Sequence, residues 1–302
     1  MMSIYGEIAA LLTSVCWAFN SVVFTRAGRR VGSVTVNYVR LWTAFPALVL
    51  LHWLWFGTPF PFDIELHRFF YLGISGLIGF VFGDALLFES FLLIGPRLAM
   101  LLVLLAPVFS ALLAWAVLGE ALLLLEIIGI LVTIGGIAWV VAEKTIPLNT
   151  ITAKQPQKYR LGILLAVGGA VGQAVGLLLS RLGLEGGYPA ISANHVRVST
   201  AALALMLFSL FQGKTRTHLT KMKDKIALLQ ITTGSLTGPV LGVILSLEAI
   251  AHTHIGVAAT LMSLTPVLLL PVSYLLFKEK ITPRAVIGTM VSLSGVILLF
   301  LN

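Results

Sequence analysis

Asp84 is the residue whose type and setting point most directly to chemistry. It lies in the middle of a long apolar run, with Phe80, Phe88 and Phe91 at i−4, i+4 and i+7. On a helix those offsets fall on one face, so a carboxylate is set into an aromatic stripe. Such a face suits an amine or an aromatic molecule, the anion pairing a cation and the rings giving cation–π contact and stacking. The same Asp could instead hold a neighbouring helix by a hydrogen bond. Two further carboxylates, Glu89 and Glu248, and two arginines, Arg40 and Arg197, also stand in apolar runs. They suggest two ion pairs, Arg40 with Glu89 and Arg197 with Glu248, one at each mouth of a central path and made in alternation as gates. Glu89 is five residues from Asp84, about 140° around a helix, so those two carboxylates do not form one site. Asn20, Gln173 and His195 add uncharged polar groups that can serve a substrate or a helix contact.

These residues are carried by elements that occur twice. Shifted by 159 positions, residues 79–136 align with 238–295 without a gap, and 15 of the 58 paired positions are identical. Among them are Gly79/Gly238, Gly83/Gly242, Glu89/Glu248, Pro107/Pro266, Glu120/Glu279, Gly129/Gly288 and Gly136/Gly295. Matches of Gly, Pro and Glu are not expected from apolar composition, so the chain reads as one unit written twice. Asn37-x-x-Arg40 and Asn194-x-x-Arg197 extend the duplication towards the start of each copy. Asp84 has Val243 as its duplicate, so the scaffold does not require it.

Charged residues are 11% of the chain and mean hydropathy is +1.01, against about 25% charged in soluble domains. The expected fold is an all-α integral membrane protein. A hydrocarbon core of about 30 Å takes about 20 helical residues, and ten such stretches fit near 4–24, 34–56, 69–94, 98–118, 122–142, 161–180, 190–212, 226–251, 256–277 and 281–301. That gives a first five-helix repeat over 1–142, a linker over 143–160 and a second repeat over 161–302, one structural unit. An odd number of spans per copy inverts the second copy, a construction suited to alternating access. Ile4 onward reads as a first span and not as a cleaved signal peptide.

Sixteen Lys and Arg residues fall in the connections after odd-numbered spans, and only Arg68 and Arg181 in the others. The positive-inside rule puts the first face in the cytoplasm and both termini outside. Arg97 belongs to that count as a headgroup contact, and Glu120 and Glu279 read as caps at helix starts. Pro107 and Pro266 sit in mid-span as expected hinges. Gly168-x-x-x-Gly172-x-x-x-Gly176 and the glycines of 79–83 and 234–242 are small-residue seams, and spans five and ten are expected to pack together through Gly129, Gly136, Gly288 and Gly295. Cys16 stands alone, His252-x-His254 lacks accompanying ligands for a metal, and no nucleophile–base arrangement or phosphate loop is visible. An enzyme, a cofactor, a metal and a nucleic-acid partner are therefore not expected.

With the repeat laid out, the chain resembles the drug/metabolite transporter superfamily, and within it the ten-span EamA-type members. The resemblance rests on Ala99 to Glu120, with Ala106-Pro107-Val108 and Leu118-Gly119-Glu120, then Gly129 and Gly136, and on Ala258, Thr265-Pro266-Val267, Glu279, Gly288 and Gly295 in the second copy. It implies a central cavity lined by spans one, three and four with their mates six, eight and nine, and places Asp84, Asn20 and Gln173 well. It also implies cytoplasmic termini, where the charge count gives the reverse; the charge count is kept. The functional expectation is a secondary transporter in the cell (plasma or inner) membrane, exporting small metabolites, foremost amino acids or related amines and aromatics, with protons or another ion as a coupling partner. Two alternatives stand beside it: an antiporter for sugar-linked or phosphorylated anions that uses Arg40, Arg197 and His195, and a non-transporting membrane receptor or scaffold.

Overall fold

The computed structural model describes residues 4–113, 115–116, 121–143, 156–253 and 255–300. In the first copy α1 (Ile4–Val31) and α2 (Ser33–Phe56) are followed by a span in three parts: α3 (Leu66–Gly76), the π-helix π1 (Leu77–Gly83) and α4 (Asp84–Ile94). The next span is α5 (Pro96–Val103) with α6 (Leu105–Leu113), and α7 (Leu124–Ala142) closes the copy. The second copy runs α8 (Pro156–Leu184), α9 (Ala190–Phe211), the short α10 (Thr215–Lys221), then α11 (Lys225–Ser235), π2 (Leu236–Gly242) and α12 (Val243–His252). It ends with α13 (Ile255–Met262), α14 (Thr265–Phe277) and α15 (Pro283–Leu298). Among the described residues nine helices are long and apolar enough to cross a membrane, and α15, with 16 residues, stands in the place of the tenth. Leu118, Gly119, Glu120, His254 and most of the linker lie outside the described residues.

The two π-helices occupy duplicate positions, 77–83 and 236–242. A π turn inserts one residue into an α-helix and widens it, and here the glycine that ends each turn sits tightly against the carbonyl it follows. A Cβ on Gly83 would stand 3.2 Å from the carbonyl oxygen of Ile78, and one on Gly242 would stand 2.9 Å from that of Thr237. Both are the carbonyl five residues back. The matched glycines of the sequence therefore encode the same backbone feature twice.

The prolines act at a second pair of duplicate positions. Each fourth span of a copy is interrupted just before its proline, at Leu104 in the first and at Ser263 and Leu264 in the second. Pro107 and Pro266 then lie within the first turn of the helix that resumes, where a missing N–H costs least. They mark a break in the helix, which is sharper than the kink expected from sequence.

Glycines set the packing between spans. A Cβ on Gly172 of α8 would stand 2.8 Å from the Cα of Gly83, and one on Gly169 would stand 3.2 Å from the Gly83 carbonyl oxygen. α7 and α15 pack along their length, and a Cβ on Gly129 would stand 2.8 Å from the carbonyl oxygen of Gly295. Without a hydrophobic force between helices in lipid, such close backbone approach supplies the dispersion contact that holds spans together. The copies are interlocked by their first helices: α1 packs on α11, π2 and α12, and α8 packs on α3, π1 and α4.

Candidate functional site

The interlock brings three helices to the end of π1. Asp84 is the first residue of α4, directly after the wide turn, and both of its carboxylate oxygens are bonded. Arg40 of α2 donates from Nη2 to Oδ2 at 2.5 Å, and Gln173 of α8 donates from Nε2 to Oδ1 at 2.7 Å. Arg40 is itself positioned: its Nε donates to Asn37 Oδ1 at 2.9 Å, and its Nη2 reaches the Phe80 carbonyl at 3.2 Å. Asn37 Nδ2 donates to the carbonyls of Phe80 and Val81 at 3.1 and 3.3 Å. The π turn thus offers backbone acceptors that a regular helix would keep for itself.

The aromatic stripe serves the arginines. The Arg40 guanidinium carbon lies 4.7 Å from the Phe88 ring centre and 5.6 Å from that of Phe80. Phe91 stacks on Phe88 and does not touch the charge. Arg197 of α9 lies 4.7 Å over the same Phe80 ring, within electrostatic reach of Asp84. Its Nε is buried with no hydrogen-bond partner among the described residues. Arg40, Asp84 and Arg197 are all buried, at 3%, 6% and 7% exposure. One carboxylate therefore sits between two guanidinium groups and is committed to one of them.

Several sequence expectations change here. The ion pairs Arg40 with Glu89 and Arg197 with Glu248 are not formed in this structure. Depth explains the first: α2 and α4 run antiparallel, and Glu89 accepts from Ser33 Oγ at 2.5 Å at the end of both spans. Arg40 is seven residues inward from Ser33, about 10.5 Å, and Asp84 is five inward from Glu89, about 7.5 Å, so these two meet. Glu248 pairs with His252 one turn along its own helix, at 3.2 Å and half-exposed. In this structure the Asp84 carboxylate is paired with Arg40, and Phe80 and Phe88 lie against arginine. Asn20 stands away from the site. Its Oδ1 accepts from Thr237 at 2.9 Å, and its side chain lies against Gly238 of π2, so it joins α1 to the other copy.

Gln173 and Asp84 are brought together, although they come from different copies. His195 is fully buried elsewhere, ringed by Phe45, His52 and Phe60, with neither ring nitrogen partnered among the described residues. It is two residues from Arg197, about 200° around α9, so the two do not face one site. His252 is engaged with Glu248, and no cluster able to hold a metal ion occurs among the described residues.

Two features escaped the sequence reading. Asn37 and Asn194 were visible as a repeated pair, but not as anchors to the π turns; Asn194 Nδ2 donates to the Pro239 carbonyl at 2.7 Å, the duplicate of the Asn37–Phe80 bond. Arg97 and Glu279 form a buried ion pair at 3.0 Å, where a headgroup contact and a helix cap were expected. The signal for the second was the identity of Glu120 and Glu279 at one position of both copies, which capping alone does not demand.

A crystal structure titled "Crystal structure of protein" superposes with a TM-score of 0.65 over 99% of this chain and 96% of its own length, at 17% identity, a likeness of fold alone. No curated protein matches the chain. Residues 4–142 and 160–301 each match the EamA-like transporter family, and the two matches cover the two copies read from the sequence. A pair of matches spanning nearly the whole chain places this multi-pass membrane protein, with its two inverted five-span copies, in the EamA-like transporter family of the drug/metabolite transporter superfamily.

Proposed function

We propose that this transporter moves a small carboxylate-bearing metabolite, amino acids among them, and that Arg197 receives the carboxylate. The observation that carries the reading is the charge imbalance at the end of π1: two buried guanidinium groups stand near one carboxylate, which pairs with Arg40, and Arg197 keeps an unpartnered Nε. A buried cation without a counter-ion is costly, and the planar guanidinium matches a carboxylate better than any other side chain. Phe80 offsets part of that cost, and a bound anion would supply the rest. An amine has no free anion here. Binding between the interlocked copies then suits alternating access, with export as the expected direction and the strongly basic face as the cytoplasmic one. A proton placed on Asp84 would release Arg40 and present both guanidinium groups to the substrate, which is how a coupling proton fits this site.

The test is thermal stabilisation of the purified protein by amino acids, dicarboxylates, sugar phosphates and aromatic amines, compared with Arg197→Gln and Asp84→Asn. A ligand that binds the folded state raises Tm with its concentration. Carboxylates should stabilise the parent protein and lose at least about tenfold in affinity in Arg197→Gln. Stabilisation by an aromatic amine that disappears in Asp84→Asn, with no response to anions, would overturn the reading.

A further inference from the structure

At the basic face the two copies are joined by an ion pair that the central site does not use. Arg97 opens α5 in the first copy and Glu279 follows α14 in the second; Arg97 Nε lies 3.0 Å from Glu279 Oε2, with side chains only 5% and 3% exposed. The bond is single. Arg97 Nη1 and Glu279 Oε1 are both buried with no partner among the described residues. Glu279 thus meets only the Nε edge of Arg97, and each group retains an unmet polar atom. Arg26 and Arg29 stand 6.0 and 5.0 Å over the ring of Phe277, two residues before Glu279, and Arg29 is within electrostatic reach of that carboxylate.

The chain accepts strain to put Glu279 there. Lys278 has φ +53°, and it is the one non-glycine residue with positive φ among those described. Its duplicate is Gly119, the residue type that conformation favours. The pair is also one-sided. Glu279 has Glu120 as its duplicate, but Arg97 has Gly256, so the sequence supplies no matching cation for the opposite mouth.

We propose that Arg97 and Glu279 form a latch that holds the two copies shut at the basic mouth, and that the substrate's carboxylate opens it by replacing Glu279 on Arg97. The second step rests on the carboxylate reading given above. A free carboxylate brings two oxygens and can take the Nη1/Nη2 edge of Arg97, where Glu279 leaves Nη1 unpartnered. The displaced Glu279 cannot stay buried and unpaired, so it must reach water, and that requires the end of α14 to part from α5. Exchange of anions and opening of the mouth are then one event.

Ser273 provides the reporter. It is fully buried on α14, its hydroxyl is unpartnered, and its carbonyl accepts from the Glu279 N–H at 3.2 Å. Ser273→Cys in a Cys16→Ser background places one thiol behind the latch, and its rate of reaction with a water-soluble maleimide in detergent reads opening. Slow reaction is expected with the latch intact. Glu279→Gln and Arg97→Gln should each react about tenfold faster or more, since each leaves the other group buried and alone. Because a lone buried charge can prevent folding, the pair Arg97→Met with Glu279→Met is made as well and should fold and react fast. Unchanged rates in the variants that fold overturn the latch. Glutamate and succinate should speed reaction of the intact latch, and chloride at equal ionic strength should not. No acceleration overturns the exchange step; if those carboxylates nevertheless raise Tm, the central carboxylate site survives, and if they do not, it falls too.

Discussion

The two copies share a backbone device and differ in charge. In the first, Asn37 bonds the Phe80 carbonyl of π1 and Arg40 closes on Asp84. In the second, Asn194 bonds the Pro239 carbonyl of π2, but Val243 stands where Asp84 would be and Arg197 turns to Phe80 of the other copy. Duplication therefore explains the wide turns, the asparagine anchors and the glycine seams. It does not explain the carboxylate, and the arginine it leaves over is the group on which the functional reading rests.

The comparison breaks at Gly76, whose duplicate is Ser235. A Cβ on Gly76 would overlap the backbone of Arg197, with its Cα only 2.9 Å away. Gly76→Ser, which makes the first copy like the second, should cost about 3 kcal/mol and be seen as a large loss of Tm or of monodisperse protein. Ser235 is buried with its hydroxyl on the Ile231 carbonyl, and Ser235→Gly should cost only about 1 kcal/mol.

Removing an arginine should also act unequally. Arg40→Gln strands a buried Asp84 and is expected to destabilise by about 3–5 kcal/mol, with Asp84→Asn in the same chain restoring most of it. Arg197→Gln strands no carboxylate and should leave Tm nearly unchanged; a loss equal to that of Arg40→Gln would show that both arginines serve structure alone. Val243→Asp gives the second copy its missing anion. It should keep the fold and weaken binding of carboxylates by about tenfold or more, as an internal carboxylate competes for Arg197.

The smallest effect lies in the connection between the second and third spans of each copy. The second copy has α10 there, with His218 buried, its Nδ1 3.1 Å from Thr35 Oγ1 and its ring stacked on Tyr38; the first copy's connection is shorter and carries Pro59 and Pro61. Burial lowers the His218 pKa, and Lys221 and Lys214 lower it further. The neutral ring is thus favoured by the fold. Stability should be full above the ordinary histidine value of about 6.5 and fall as pH drops from there towards the lowered folded value, as the unfolded chain takes the proton first. His218→Gln should flatten that slope in Tm measured against pH, and Pro59→Ala should not change it.

Much of this was legible without coordinates. The duplication, the spans and the pairing of α7 with α15 follow from matched glycines and hydropathy, and Arg40, Asp84, Gln173 and Arg197 stand out in the sequence as polar groups in apolar runs. Who pairs with whom was not legible, because it depends on the relative depth of antiparallel helices. Once the Ser33–Glu89 bond fixes that register for α2 and α4, Arg40 and Asp84 fall level. The π turns were hidden for a related reason: one extra residue in a uniformly apolar span leaves no trace in a hydrophobic pattern. Asn20 resembled a site residue because sequence shows polarity, whereas its partner Thr237 is 217 residues away.

That separation bears on how the protein is made. When α8 leaves the ribosome, the helices it docks on, α3, π1 and α4, are already in the bilayer. α1 has the opposite experience, since α11, π2 and α12 are synthesised late in the second copy. At about 5–20 residues per second, Asn20 waits roughly ten to forty seconds in lipid before Thr237 is translated. Through most of its own birth the chain carries an unsatisfied polar helix, open to capture by any neighbouring span, and its assembly is completed only when the tail end of translation returns to cover the beginning.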